Sequence, residues 1–254
     1  MDFYKIRNVK IVITSMELVL TEIAMAVRNG LNIYICVSNM RTVVLGNKDK
    51  KYFEVMNNSY MNIPDGMPLI WCAKAWGIKN AHKTSGPNVF IEMLCNKKLH
   101  LKHFFLGDTE ETLKALKLKC EKEFGSNIVG TYSPPFLPVE EFDFERIAKM
   151  INASNADLVW VSMRAPKQDF LASRLQPLLD TKVVIGVGAA FRFVLGEYKQ
   201  PPVLIQRMGL AGLFCLRNTT FLKELKWYMK HTFYLLSYVS QILFFRWKGK
   251  KYYE

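Results

Sequence analysis

A few short stretches of this chain set polar or glycine residues where an apolar run stops, and there chemistry is possible. The first is Ile63-Pro64-Asp65-Gly66-Met67-Pro68, where a strand-like run ends and an Asp-Gly pair opens the helical pattern Leu69–Trp76. Asp65 has two readings. It caps that helix, or it projects into a cleft at a strand end and takes a proton from a hydroxyl as general base. The second stretch is Val161-Ser162-Met163-Arg164-Ala165-Pro166-Lys167-Gln168-Asp169. It puts Lys167 and Gln168 at a helix start, able to meet a phosphate or sugar hydroxyls, or simply solvated there. The third is Val184-Ile185-Gly186-Val187-Gly188-Ala189-Ala190-Phe191. Gly186 and Gly188 let backbone approach a ligand, but Phe191 stands where a dinucleotide fingerprint needs its last glycine, so an NAD site is poorly supported. In Phe105-Leu106-Gly107-Asp108 the turn reads as a helix cap or a phosphate cradle.

The elements that must hold these residues follow from periodicity. β-rich runs at Val9–Thr14, Asn32–Ser38, His103–Gly107, Asn127–Tyr132, Leu158–Met163 and Lys182–Gly188 alternate with amphipathic stretches such as Met16–Asn29 and Thr109–Phe124. For the latter, Asp108 reads as N-cap with Glu111 three residues on, and Gly125 as the stop. Alternation with continuous apolar strands implies an α/β fold: a mainly parallel, Rossmann-like sheet flanked by helices. No repeat or low-complexity linker interrupts it.

Half of the 254 residues are apolar, enough to bury a full core, and 22% are charged. Lys and Arg outnumber Asp and Glu by thirteen, which points to an anionic partner: nucleic acid, a membrane surface or a phosphorylated substrate. Cys36, Cys72, Cys95, Cys120 and Cys215 show no CxxC or metal spacing and read as reduced, buried thiols. MDFYKIRNVKIVIT lacks a signal-peptide pattern. A cytoplasmic protein, free or peripheral on the inner face of the cell membrane, is expected.

The last stretch differs. Residues 217–254 carry eight Lys or Arg (among them Lys223, Lys226, Lys230, Arg246 and Lys248) and two Glu, almost half the net charge. Their uncharged run, Thr232–Phe245, is fourteen residues, short of the roughly 20 that span a bilayer. Lys226, Lys230, Ser237, Gln241 and Lys248 fall on one helical stripe beside an aromatic-rich body. That is the pattern of an amphipathic helix lying in a membrane interface; a helix packed on the core or an oligomer contact is the alternative. No nucleic-acid-binding motif accompanies the charge. The expected division is a core of 1–216 and a membrane-associating appendage of 217–254.

The order of the short blocks adds a resemblance. Val37-Ser38-Asn39, Pro64–Pro68, Ser85-Gly86-Pro87-Asn88, Phe105-Leu106-Gly107, Gly130-Thr131-Tyr132-Ser133-Pro134-Pro135-Phe136, Ala165-Pro166-Lys167-Gln168 and Gly186–Phe191 resemble the WecG/TagA/CpsF glycosyltransferases from about Val9 to Gly209. The resemblance implies inverting, metal-independent transfer of an N-acetylmannosamine-type sugar from a UDP donor to an undecaprenyl-diphosphate-linked sugar. No cofactor is implied, and the absence of an Asp-x-Asp motif agrees with the lack of a metal. It further implies Asp65 as the catalytic base, and Asn39, Gly66, Lys83, Gly86, Asn88, Gly107, Tyr132, Lys167, Gln168, Gly186, Gly188 and Arg192 around the substrates. Several positions depart from the family pattern: Val37 for Thr, Lys83 for Arg, Asp169 for Glu, Arg192 for Asp, and Gly209–Cys215 for a block with Glu, Trp and Arg. These departures leave open a degenerate homologue that binds lipid-linked sugar or a partner without turnover.

Overall fold

A computed structural model describes residues 1–180, 183–199, 202, 204–205, 208 and 221–251, with side chains of the last stretch described from Phe233. Six strands form the parallel sheet: β3 (Ile33–Ser38), β4 (Met61–Pro64), β5 (Lys102–Gly107), β6 (Asn127–Tyr132), β7 (Leu158–Ser162) and β8 (Val183–Gly186), in the spatial order β4-β3-β8-β7-β5-β6. The chain lays one edge with β3 and β4, crosses to the other for β5 and β6, then fills the middle with β7 and β8. Every connection returns from the C-terminal to the N-terminal end of the sheet, so the turns after all six strands gather along one rim.

Period-two alternation builds two cores. Ile35, Phe105, Trp160 and Ile185 face one side, under α1 (Met16–Arg28) and α5 (Gly86–Cys95). Tyr34, Cys36, Phe104, Val159 and Val184 face the other, under α7 (Phe144–Ser154) and α8 (Lys167–Leu175). Strands buried on both faces are what continuous apolar runs encode, and the expected α/β class is the observed one.

The run Val9–Thr14 does not join this sheet. As β2 (Val9–Val12) it pairs antiparallel with β1 (Phe3–Ile6), Ile6 opposite Val9. Only two residues separate the strands, which permits a hairpin and forbids a parallel crossover. The turn places Arg7 at φ 53°, without the glycine that would have announced it. The hairpin covers the β4 edge, where Asn62 Nδ2 donates to Lys10 O at 2.9 Å, and its inner side shares a third core with α2 (Met40–Gly46), α3 (Lys50–Asn58) and α4 (Met67–Ala75).

The start of α6 (Glu110–Lys119) corrects a second expectation. Its N-cap is Thr109, whose hydroxyl accepts from Thr112 N at 3.2 Å. Asp108 lies one residue earlier with φ 59°, too far back to cap. The helix continues as a π turn, Cys120–Phe124, and stops at Gly125 as expected. Between β8 and the C-terminal region lies the short α9 (Ala190–Val194). The thiols Cys36, Cys72 and Cys120 are buried, but Cys95, at the last turn of α5, is exposed; Cys215 lies outside the described residues.

The C-terminal helix α10 (Phe221–Trp247) runs 27 residues, about 40 Å. Leu235, Tyr238 and Ile242 are buried against the third core. Lys48 Nζ meets Tyr234 Oη at 2.5 Å, and the Arg7 guanidinium lies 4.7 Å above the Tyr238 ring. On the far side of the helix stand Phe233, Leu236, Leu243, Phe244 and Trp247, the last 81% exposed. The polar stripe through Ser237 and Gln241 is half-buried at the flank of these two faces, so the side turned outward is apolar. Among the described residues no helix is long and apolar enough to cross a membrane. Residues 209–220, with the expected domain boundary and the Gly209–Cys215 block, lie outside the described residues.

Candidate active site

Asp65 follows β4 directly, and its N–H donates to Ser38 O at 2.6 Å across the strand pair. It does not cap α4: the N-cap is Gly66, at φ 130°, with no side-chain cap. Gly66 is required there because an L side chain rarely takes that backbone conformation. The half-buried carboxyl is therefore left to the rim. Burial pushes it up to about 6, and the Lys83 charge opposes that rise. Lys83 is brought alongside by its neighbours: His82 N donates to Thr14 O at 2.8 Å and Thr84 N to Pro64 O at 2.9 Å. A carboxyl titrating near 6 is ionised at neutral pH yet basic enough to accept a proton from a hydroxyl.

Around the centre of the rim, predicted residues converge on the β8 turn. Gln168, 2% exposed, accepts from Gly188 N at 2.8 Å. A Cβ on Gly186 would lie 2.8 Å from Gln168 Nε2, and one on Gly86 would lie 3.0 Å from Val187 O. Both glycines are set by these close approaches. Gly188 has φ 62° and open space where a Cβ would stand, so the turn presents bare backbone outward. Ser162, at the end of β7, donates to Gly188 O at 2.7 Å and steadies the same turn. Gly107 has φ 110°, and a Cβ there would meet Ser162 O at 2.5 Å.

Other predicted residues are occupied within the protein. Asn39 caps α2, its Oδ1 accepting from Arg41 N and Thr42 N. Lys167 Nζ donates to Leu137 O at 2.5 Å and lies 4.7 Å over the Phe142 ring, holding the segment after β6. Arg192 grips Asp108 with two bonds of 2.8 and 3.0 Å and reaches Glu197 at 3.2 Å. That fork neutralises the guanidinium expected to face substrate. Tyr132 ends β6 half-buried, and Asn88 is exposed in the first turn of α5.

On the tail, Arg246 donates to Ala75 O at 3.3 Å, satisfying the last turn of α4; a Cβ on Gly77 would meet its guanidinium at 3.2 Å. It clasps the core rather than reaching outward. Lys248 is exposed, its ammonium 4.7 Å over the Phe244 ring. The side chains of Lys223, Lys226 and Lys230 lie outside the described residues.

Two features were not foreseen. Asp169, 1% exposed, accepts from Tyr52 Oη at 2.5 Å directly beneath the Gly186 turn, and its Oδ1 has no partner among the described residues. Burial pushes its carboxyl up to about 6, the Tyr52 hydrogen bond opposing. Tyr52 comes from α3, 117 residues away, and nothing local announces it. Asp108, read as a cap, is instead the partner of Arg192; its placement after a glycine was the available signal.

A parallel sheet with glycine turns, a raised carboxyl and cations along its C-terminal rim defines an α/β protein of the doubly wound, ligand-binding kind. The sequence profile of the "Glycosyl transferase WecG/TagA/CpsF family" matches residues 4–242, and the chain belongs to that family. A Bacillus subtilis (strain 168) protein named N-acetylglucosaminyldiphosphoundecaprenol N-acetyl-beta-D-mannosaminyltransferase is 27% identical over 171 residues, 66% of this chain. The match spans 65% of that relative's length. A Staphylococcus aureus (strain MRSA252) protein of the same name is 23% identical over 186 residues, covering 72% of this chain and 71% of its own.

Proposed function

We propose that this protein is a hexosyltransferase that moves an N-acetylmannosamine-type sugar from a UDP donor to an undecaprenyl-diphosphate-linked sugar. The observation that carries the reading is Asp65: a carboxyl titrating near 6 at a strand end, uncommitted to helix capping and facing Lys83, in a chain of this family. Asp65 accepts the proton of the acceptor hydroxyl as its oxygen bonds to the anomeric carbon. The bond from that carbon to the UDP oxygen breaks on the opposite face, UDP leaves with the electron pair, and configuration inverts. Lys83 meets the donor's charge, and the Gly186–Gly188 turn, with no side chain at Gly188, leaves the donor room to approach. With no metal in the scheme, fixed donors and cations stabilise the leaving diphosphate.

The acceptor is a membrane lipid. The outer stripe of α10, with the basic residues of 217–254, supports a peripheral location on the inner face of the membrane, the appendage serving as its contact. Transfer of labelled N-acetylmannosamine from UDP to a synthetic polyprenyl-diphosphate-linked N-acetylglucosamine tests the reading. Product from wild type and none from Asp65→Asn supports it; no product from wild type in the presence of anionic vesicles overturns it. A non-catalytic homologue is favoured by one observation, the commitment of Arg192 to Asp108 and Glu197. Such a protein would bind UDP or lipid-linked sugar and never release labelled product.

A further inference from the structure

At the opposite end of the sheet, where β5 and β6 begin, a cavity of about 280 Å³ opens between the end of α5 and the turn before β6. This is close to the lower end of small-molecule sites, about 300–1,000 Å³. His103, 2% exposed, lines it. Its Nδ1 accepts from Trp160 Nε1 at 3.0 Å, so the neutral ring carries its proton on Nε2. Burial holds the ring neutral by pushing its pKa down to about 4. Among the described residues that Nε2–H has no hydrogen-bond partner, yet it is not one of the sealed, unsatisfied buried atoms. The cavity is the space it reaches. A register shift between His103 and Phe104 in the β5–β6 pairing marks the same point, a device that re-aims side chains.

The remaining lining is rich in donors. Lys97 stands at the mouth, its ammonium 3.0 Å from where a Gly125 Cβ would be, and among the described residues it forms no salt bridge. Asn96, His100 and Asn127 complete the polar wall, while Ser126 is spent on Leu94 O at 3.0 Å. An ammonium and a fixed imidazole N–H converging on one space suit an anion with several oxygens, and the amides suit hydroxyls.

We propose that this cavity binds a small phosphorylated molecule, its phosphate on Lys97 Nζ and His103 Nε2 and its polar body against Asn96, His100 and Asn127. The site is separate from the Asp65 rim and rests on no assumption about the transfer reaction. The test follows the histidine ring signals of the full-length protein by NMR during titration with inorganic phosphate and glucose 6-phosphate, against glucose and sodium chloride at matched ionic strength. His103 and His100 should shift saturably with both phosphates and with neither control, glucose 6-phosphate binding more tightly because it fills the body of the cavity. Lys97→Met, a surface change, should weaken binding about tenfold or more, the loss expected for one charged hydrogen bond. Absence of a saturable shift up to about 10 mM ligand, beyond any useful affinity, overturns the proposal. So does equal binding by Lys97→Met, or an identical response to sodium chloride.

Discussion

Replacing Lys83 with Met should move the acid limb of the transfer reaction toward higher pH. Asp65 titrates near 6 because burial raises it and Lys83 holds it back. At pH 7 roughly nine-tenths of the carboxyl is ionised and at pH 5 about one-tenth, so kcat/KM should fall nearly tenfold for each unit below 6. Removing Lys83 leaves the burial unopposed. An opposite charge nearby shifts a carboxyl by about 1–3 units, and the half-exposed, solvent-screened lysine belongs at the low end. A shift of about one unit lowers activity at pH 6 roughly fivefold, from half ionised to about one-tenth. Above about pH 8.5 the Lys83 variant should then run parallel to wild type, offset only by any lost contact with the donor. Asp65→Asn should lose about 10²–10⁴-fold and the acid limb itself. The assay is kcat/KM for labelled transfer across pH 4.5–9. A limb that stays in place in Lys83→Met, or an Asn variant keeping more than about a tenth of activity with the limb intact, would refute Asp65 as the base.

Asp169 should act on stability. A carboxyl raised in the folded state holds its proton more tightly when folded, so its contribution is greatest below the unfolded value and declines as pH climbs to about 6. Asp169→Asn should flatten that decline, gaining at most about 3 kcal/mol at pH 7 relative to pH 4, read from urea midpoints; a wild-type decline left unchanged would refute it. Gly186→Ala forces a Cβ within 2.8 Å of Gln168 Nε2. It should cost about 1–3 kcal/mol by chemical denaturation, and Gln168→Ala in the same chain should recover part of it. On α10, Leu235→Ala should destabilise by about 2–5 kcal/mol, whereas Phe233→Ser with Trp247→Ser should leave the melting midpoint unchanged and abolish binding to anionic vesicles in flotation. Transfer should persist in EDTA; loss restored by Mg²⁺ or Mn²⁺ would refute the metal-free scheme.

The sheet was legible because its inner strands β3, β5, β7 and β8 are almost wholly buried and apolar on both faces, the pattern of a doubly covered parallel sheet. The rim was legible too, since Asp65, Gly107, Gln168 and Gly186 all stand where an apolar run stops. Pairings between distant residues left no local trace. Arg192 and Asp108 are 84 positions apart, so a lone arginine read as a free cation. Tyr52 gives no sign that it reaches Asp169. The tail was half legible: its period revealed a helix with a polar stripe, but an apolar body on both remaining sides does not say which side meets the core. Packing chose the Leu235, Tyr238 and Ile242 side, where Arg7 and Lys48 wait over the rings.

Helix α4 begins beside Asp65 and ends at Ala75, whose carbonyl Arg246 of α10 clasps. Nine residues long, it is a strut of about 14 Å between the candidate base and the helix proposed to meet the bilayer. Its length therefore sets the distance between the carboxyl and the Arg246 contact on α10. One residue added within it would lift Asp65 by about 1.5 Å and swing it through about 100° about the helix axis. The spacing of residues 67–75 thus couples the rim of the sheet to the helix on its flank.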